Sequence, residues 1–266
     1  MSSKARLSVQ LYSVREAFFS DLAGTLARIA DLGYCHVEPF GFGHGWAAPA
    51  ERLERARELR AALDEAGLTV SSVHGGLSDG DLAPLVEECR ILGADTVFVP
   101  VPELVEGFER NVFGDAERLP AFAARLTAAS EELAGHGINL GYHNHEFEWA
   151  KLPDGRSGYD AFWELAGERL LAELDVYWAT AAGQDPVAVL KQLGRRAAAV
   201  HLKDGPVGHD QPQTPIGTGE VQIPAVLAAG EHLGWHIAEI DTTDLDVFDL
   251  LESNRTAILD LGRTVA

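Results

Sequence analysis

Six consecutive residues, His143 to Glu148, read HNHEFE and follow a short apolar run that starts at Ile138. Imidazoles and carboxylates bind divalent metals and move protons near neutral pH. Four of them within six residues, His143, His145, Glu146 and Glu148, at the exit of a strand exceed what a solvated turn requires. The plainer alternative is a polar strand-to-loop junction with exposed charges. Similar side chains recur behind other apolar runs: Gln10 and Tyr12, Glu38, His74, Asp175, His201 and Lys203, and Glu239 and Asp241. Any one of these alone is an ordinary solvated loop residue. Their recurrence at the same end of successive strands is what would bring them together in space.

The elements that must position them alternate along the whole chain. Strands are expected at Leu7 to Tyr12, Cys35 to Pro39, Thr69 to Val73, Thr96 to Val101, from Ile138, near Leu171 to Leu174, at Ala198 to Leu202 and at Trp235 to Ile240. Helical patterns intervene, from about Leu22 to Leu32, Pro49 to Ala66, Leu82 to Leu92, Ala116 to Ala134 and Tyr159 to Ala166. Three more begin at Asp185-Pro186, at Pro224 and near Val247, the last reaching Leu261. Several of these helices stop at a glycine, and Asp185-Pro186 is a cap followed by proline at the first turn. Repeated strand and helix units imply a parallel α/β sheet, and eight of them imply a closed (β/α)8 TIM barrel, which needs ~250 residues. An open doubly wound sheet is the competing layout, but no GxGxxG follows the first strand. No linker or composition break divides residues 1–266, so one barrel domain is expected, with a Gly/Pro/Gln loop from Gly205 to Gly219 long enough to fold over a site.

Composition narrows the partners. A formal charge of −20 and a pI near 4.8 repel phosphate backbones and anionic membrane surfaces, so neither nucleic acid nor membrane is an expected partner. The opening MSSKARLSVQ has no apolar run long enough for secretion and no segment approaches the ~20 apolar residues of a membrane span. A cytoplasmic protein is expected. Cys35 and Cys89 form no CxxC pair and read as reduced structural thiols.

A carboxylate, a carboxylate, an imidazole and a carboxylate leaving the fifth to eighth strands form an oxygen and nitrogen donor set suited to one divalent ion, Mn, Co, Zn or Mg. Such an ion can grip adjacent substrate oxygens while a remaining imidazole or carboxylate abstracts the proton next to a carbonyl. The motifs VQLYSVRE (from Val9), VEPFGF (from Val37), GYHNHEFEW (from Gly141), ELDVYWATAAGQDPVAVL (from Glu173), VHLKDG (from Val200) and PIGTGEV (from Pro215) occur in that order. Together they resemble the sugar phosphate isomerase/epimerase family with the xylose isomerase-like TIM barrel, over essentially the whole chain. The resemblance implies metal ligands at Asp175, His201 and Glu239. For the first ligand it implies Glu148, with Glu146 as the alternative and His143 or His145 able to replace either, because relatives carry a Glu where this chain has His143. A histidine that is not a ligand becomes the general base or acid, so His143, His145 and Glu148 are the catalytic candidates. Gln10, Tyr12, Glu38, His74, Trp178 and Lys203 would line the substrate pocket. Core packing is the alternative role for Trp178 and Tyr12.

The expected activity is that of a metal-dependent sugar isomerase or epimerase, working on a keto-sugar or polyol by α-proton abstraction through a metal-stabilised enediolate. The same resemblance includes inosose dehydratases and 3-keto-glycoside lyases, which begin with the same proton removal, and HNHEFE in place of a single Glu followed by Pro leans slightly away from simple epimerisation. A different class of reading is a non-catalytic sugar-binding or partner subunit. Few cations fall near the barrel mouth, only Lys203 and Arg15, which favours an unphosphorylated substrate. The oligomeric state is left open, a homo-oligomer included.

Overall fold

A computed structural model of the chain describes residues 4–266, and the first three residues of the opening segment lie outside them. Parallel strands β1 (Ala5–Gln10), β2 (His36–Glu38), β3 (Thr69–Val70), β4 (Val73–His74), β5 (Thr96–Val99), β6 (Asn139–His143), β7 (Leu171–Asp175), β8 (Ala197–Leu202) and β9 (Trp235–Ala238) follow the order β3-β2-β1-β9-β8-β7-β6-β5-β4. The two ends of this path, β3 and β4, are halves of one expected strand. β3 pairs with β2 and β4 with β5, so the ring closes through a single chain segment, and the fold is the expected α/β TIM barrel. The break falls at Ser71 and Ser72, whose hydroxyls turn to side-chain and carbonyl partners: Ser71 Oγ meets Ser8 Oγ at 2.8 Å, and Ser72 Oγ donates to Glu38.

The helices α1 (Arg15–Ser20), α2 (Leu22–Asp31), α3 (Pro49–Ala66), α4 (Ala83–Leu92), α5 (Leu119–Ala134), α6 (Gly158–Leu165), α7 (Val176–Ala181), α8 (Pro186–Leu193), α9 (Ile223–Ala229) and α10 (Val247–Asp260) follow the expected pattern with additions. The short α1 and α7 were not expected, and neither was β10 (Thr264–Val265), which pairs with β1. α7 directly follows the polar end of β7, and α1 follows β1 after one 3-10 turn. Asp175 caps α7 by accepting from Trp178 N at 2.9 Å, a side-chain cap that competes with further strand. Tyr12 likewise lies beyond β1, in a 3-10 turn (Leu11–Val14) that Gln10 caps.

Strand alternation sorts side chains into two environments. Tyr142 points outward and packs on Phe122 of α5 and Phe162 of α6, while its neighbour His143 points inward beside His74 and His201. Below the inward polar residues, Phe98, Ala199 and Ile237 form a small separate apolar cluster that plugs the barrel. The site therefore sits on an apolar floor inside a rigid ring.

Candidate metal centre

The polar side chains form two tiers because they repeat every second residue: Glu173 and Asp175 on β7, His201 and Lys203 at the end of β8, Glu239 and Asp241 beyond β9. His143, Asp175, His201 and Glu239, all buried, each offer one ligand atom within 4.8 Å of the others. A second group, His74, His143, Glu173 and His201, meets the same distance limit and shares both central imidazoles.

The ring nitrogens separate the two groups. His143 Nε2 lies 3.9 Å from Asp175 Oδ2, whereas its Nδ1 is 3.1 Å from Glu173 Oε2. His201 Nδ1 lies 2.7 Å from Glu239 Oε2, whereas its Nε2 is 2.7 Å from Glu38 Oε2 and 3.2 Å from Glu173 Oε2. Each imidazole thus turns one nitrogen to the upper carboxylates and the other to the lower ones, the arrangement in which an outer carboxylate orients a metal-ligating histidine. Glu239 and His143 also face the open mouth, while Glu38 and Glu173 are sealed below. The upper four residues, two carboxylates and two imidazoles, fit a divalent ion by donor chemistry.

Electrostatics agree with two tiers. Burial, reinforced by the charge of His201, pulls His143 down to about 3, so the ring is a neutral donor. Burial would lower His201 too, but Glu173, Glu239 and Glu38 together raise it well above its usual value. Glu239 is held well below the usual carboxylate range against burial, chiefly by Lys203 and His201. Burial raises Asp175 to about 6 despite Lys203. The Lys203 ammonium balances this acidity, lying 2.8 Å from Asp175 Oδ2, 2.6 Å from Glu239 Oε2 and 2.6 Å from Asp241 Oδ2.

The structure brings Asp175, His201 and Glu239 together but not Glu148. The chain after His145 curls into a 3-10 turn (Phe147–Trp149) that carries Glu148 back beneath β6. There its carboxylate accepts from Tyr142 Oη and from His145 N, both at 2.8 Å, and it belongs to neither ligand group. Glu146 is drawn to the rim by His209 Nδ1 at 3.0 Å. The fourth position of the upper set is filled by His143.

A cavity of about 580 Å3 opens above the upper tier. Tyr12, His74, His143, His145 and Trp178 line it, whereas Gln10, Glu38 and Lys203 do not. Gln10 Nε2 instead donates to Glu38 Oε2 at 2.7 Å, and this buried pair braces His201 from below. Trp178 Nε1 and His145 Nδ1 are buried atoms without a hydrogen-bond partner among the described residues. Sequence reading missed Glu173 and Arg110. The signal for Glu173 was its spacing of two from Asp175, which puts both on one strand face. Arg110, which lines the cavity and bonds Glu103 at 2.8 Å, arrives on a 3-10 segment (Arg110–Gly114) that carries no strand-end signal. The Gly205–Gly219 loop does reach the mouth, where His209 and Asp210 line the cavity. Asp204 fastens the loop through four backbone amides, those of Gly205, Gly217, Gly219 and Val221.

This barrel, with its ring of histidines and carboxylates at one end, defines a class, and comparison with known proteins gives the same one. The model of the xylose isomerase-like TIM barrel family matches residues 26–244, and the chain belongs to that family. No curated protein matches significantly. Among solved structures, a sugar phosphate isomerase/epimerase from Parabacteroides distasonis ATCC 8503 is similar at 21% identity and a TM-score of 0.75, over 96% of this chain and 94% of that one. The probable 3-DHS dehydratase AsbF from Bacillus anthracis is similar at 14% identity and 0.68, over 96% and 98%. A xylose isomerase-like TIM barrel protein from Mycobacterium smegmatis, in complex with magnesium, is similar at 17% identity and 0.67, over 97% and 96%. At these identities the likeness is one of fold.

Proposed function

We propose that this chain is a divalent-metal-dependent enzyme that acts on a keto-sugar or polyol by α-proton abstraction, with isomerisation or epimerisation the leading outcome. The observation that carries the reading is the convergence of His143, Asp175, His201 and Glu239 within 4.8 Å at the cavity floor. These four would hold the ion, and Mn, Co, Zn or Mg suits the mixed donor set. When bound, the ion supplies Lewis acidity that polarises the carbonyl and offsets enediolate charge. A neighbour of the same fold, from M. smegmatis, is in complex with magnesium, which is in keeping with a divalent ion in this chain.

The chain's own groups then divide the work. His145, whose ring lines the cavity, takes the α-proton on its imidazole. The C–H electron pair moves into the carbon–carbon bond and the carbonyl π pair passes to oxygen, giving the enediolate. In isomerisation the imidazolium returns the proton to the adjacent carbon on the same face, while the hydroxyl proton of the first carbon passes to the enediolate oxygen. In epimerisation an acid on the opposite face of the same carbon delivers the proton, a role open to the charged His74 at the cavity wall. Burial, with His143 and Lys203 adding to it, holds His145 well below its usual value and so neutral in the resting site, with Glu239 opposing them. Glu148 acts through His145, whose backbone amide it holds. The Trp178 ring lines the cavity and would pack against the substrate. Elimination, as in a dehydratase or a 3-keto-glycoside lyase, is the second reading, and His74 favours it: the ring faces the cavity and the carboxylates Glu38 and Glu173 hold it charged against burial, ready to protonate a leaving oxygen.

No helix among the described residues is long and apolar enough to cross a membrane, and Cys35 and Cys89 are free thiols. The test is elemental analysis of purified protein. Wild type should hold about one divalent ion per chain, and Asp175→Asn together with His201→Ala should lose it. His143→Ala should also lose metal whereas Glu148→Gln should retain it; the reverse outcome would return the first ligand to Glu148. Loss of substrate α-proton signal in deuterated water, abolished in His145→Ala, distinguishes the enzyme from a non-catalytic sugar-binding or partner subunit.

A further inference from the structure

The wall of the cavity extends beyond the space that one sugar ring fills. Its volume of about 580 Å3 lies within the range of sites for drug-sized ligands, ~300–1,000 Å3. On one side of it Phe40 and Trp46, beside Tyr12, also border a second groove of about 240 Å3, where Phe18 and Phe19 join them. Phe40 is the hub of the group, with ring centroids at 5.3 Å from Tyr12, 5.9 Å from Phe18, 5.9 Å from Phe19 and 6.0 Å from Trp46.

Phe18 and Phe40 pack against the core, and three of the rings are presented to solvent. Phe19 is 72% exposed, and Tyr12 and Trp46 are each 38% exposed; the other large exposed apolar side chains, Leu165, Leu245 and Val265, lie outside both grooves. The segment that carries Trp46 is nevertheless fixed. The buried pair Arg52 and Glu88 holds it at both ends, Glu88 accepting from Gly43 N at 2.8 Å and Arg52 donating to Ala47 O at 2.6 Å. A pre-set aromatic surface beside a polar pocket lowers the ordering cost of binding. Three exposed rings are too few for a subunit interface, which needs ~800 Å2 per partner, but they suit one planar ring, which gains from edge and offset contacts. Arg55 and Glu58 at the groove's far side bring opposite charges and so no preference for a charged ligand.

We propose that the groove is a subsite for a neutral aromatic group joined to the substrate's sugar, held against Phe19, Phe40 and Trp46 while the sugar lies over His143 and Glu239. The proposal rests on the keto-sugar reading above and names the substrate class within it: an aryl-substituted keto-sugar rather than a free monosaccharide.

The test compares the 3-keto forms of phenyl and methyl β-glucoside, titrated calorimetrically into metal-reconstituted protein, with α-proton exchange in deuterated water as a second readout. The phenyl compound should bind ~10-fold more tightly than the methyl one. Phe19→Ala should shrink that ratio severalfold and Phe19→Tyr should largely restore it. Equal affinities in the wild type, with exchange of both compounds, would overturn the subsite and leave the keto-sugar reading standing. Binding and exchange of neither compound would overturn both. Equal affinities with a concentration-dependent dimer lost in Phe19→Ala would assign the rings to a second copy of the chain, and the subsite would again fall.

Discussion

Two carboxylates at this site use their two oxygens differently. Asp175 Oδ1 caps α7 while Oδ2 faces His143 and Lys203. Glu173 Oε2 meets three imidazoles, His74 at 2.7 Å, His143 at 3.1 Å and His201 at 3.2 Å, while its Oε1 has no hydrogen-bond partner among the described residues. Glu173 therefore orients both imidazoles of the proposed ligand set without joining it. Glu173→Gln should weaken metal affinity ~10–100-fold, because an amide cannot accept from all three rings. A Mn competition titration checks this; unchanged affinity would detach Glu173 from the metal centre.

At the scale of the element, β6 shows how tightly the tier is packed. Gly141 precedes the outward Tyr142 and the inward His143, and a Cβ there would lie 2.4 Å from the ring of Phe98 and 2.9 Å from Leu171 O. Close backbone approach, not a turn, requires this glycine. Gly141→Ala should cost ~1–3 kcal/mol through overpacking and lower Tm by several degrees, as thermal unfolding would show. The neighbouring loop is also held by a side chain, since Asn144 accepts from Asp175 N at 3.1 Å and donates to Asp175 O at 3.2 Å, tying the ends of β6 and β7 together. That clamp keeps two proposed ligands in register.

For the whole molecule, closure matters at both ends of the barrel. Beneath the site, β10 pairs with β1, and Thr264 Oγ1 on β10 meets His236 Nδ1 on β9 at 2.8 Å. Burial pulls His236 from 6.5 to about 4. Its folded-state value lies below the unfolded one, so as pH falls the unfolded chain takes up the proton first. The contribution is present above pH 6.5 and is lost between 6.5 and about 4, amounting to about 3 kcal/mol. His236→Gln should therefore show a smaller fall in Tm between about pH 7 and about pH 4 than wild type does. Comparing the two differences, rather than the two stabilities, removes any constant cost of the substitution. Parallel curves would show that His236 does not carry the acid sensitivity.

The order of strands and helices was legible in the chain because period-two and period-3.6 patterns are local, and so were Asp175, His201 and Glu239, each directly behind an apolar strand. Glu173 carried a visible spacing signal. The short helices were hidden because local capping decides them: Asp175 can end a strand or start α7, and here it does both. Only the tertiary structure decided the fate of HNHEFE. His143 and Glu148 are equally plausible ligands by type, but strand alternation turns His143 into the barrel while the following 3-10 turn returns Glu148 to Tyr142 Oη and His145 N. The aromatic rim was equally invisible, since Phe18, Phe19, Phe40 and Trp46 come from separate connections and meet only when β1 and β2 lie side by side. Residue type determined the chemistry on offer, and the closed ring decided which side chains share it.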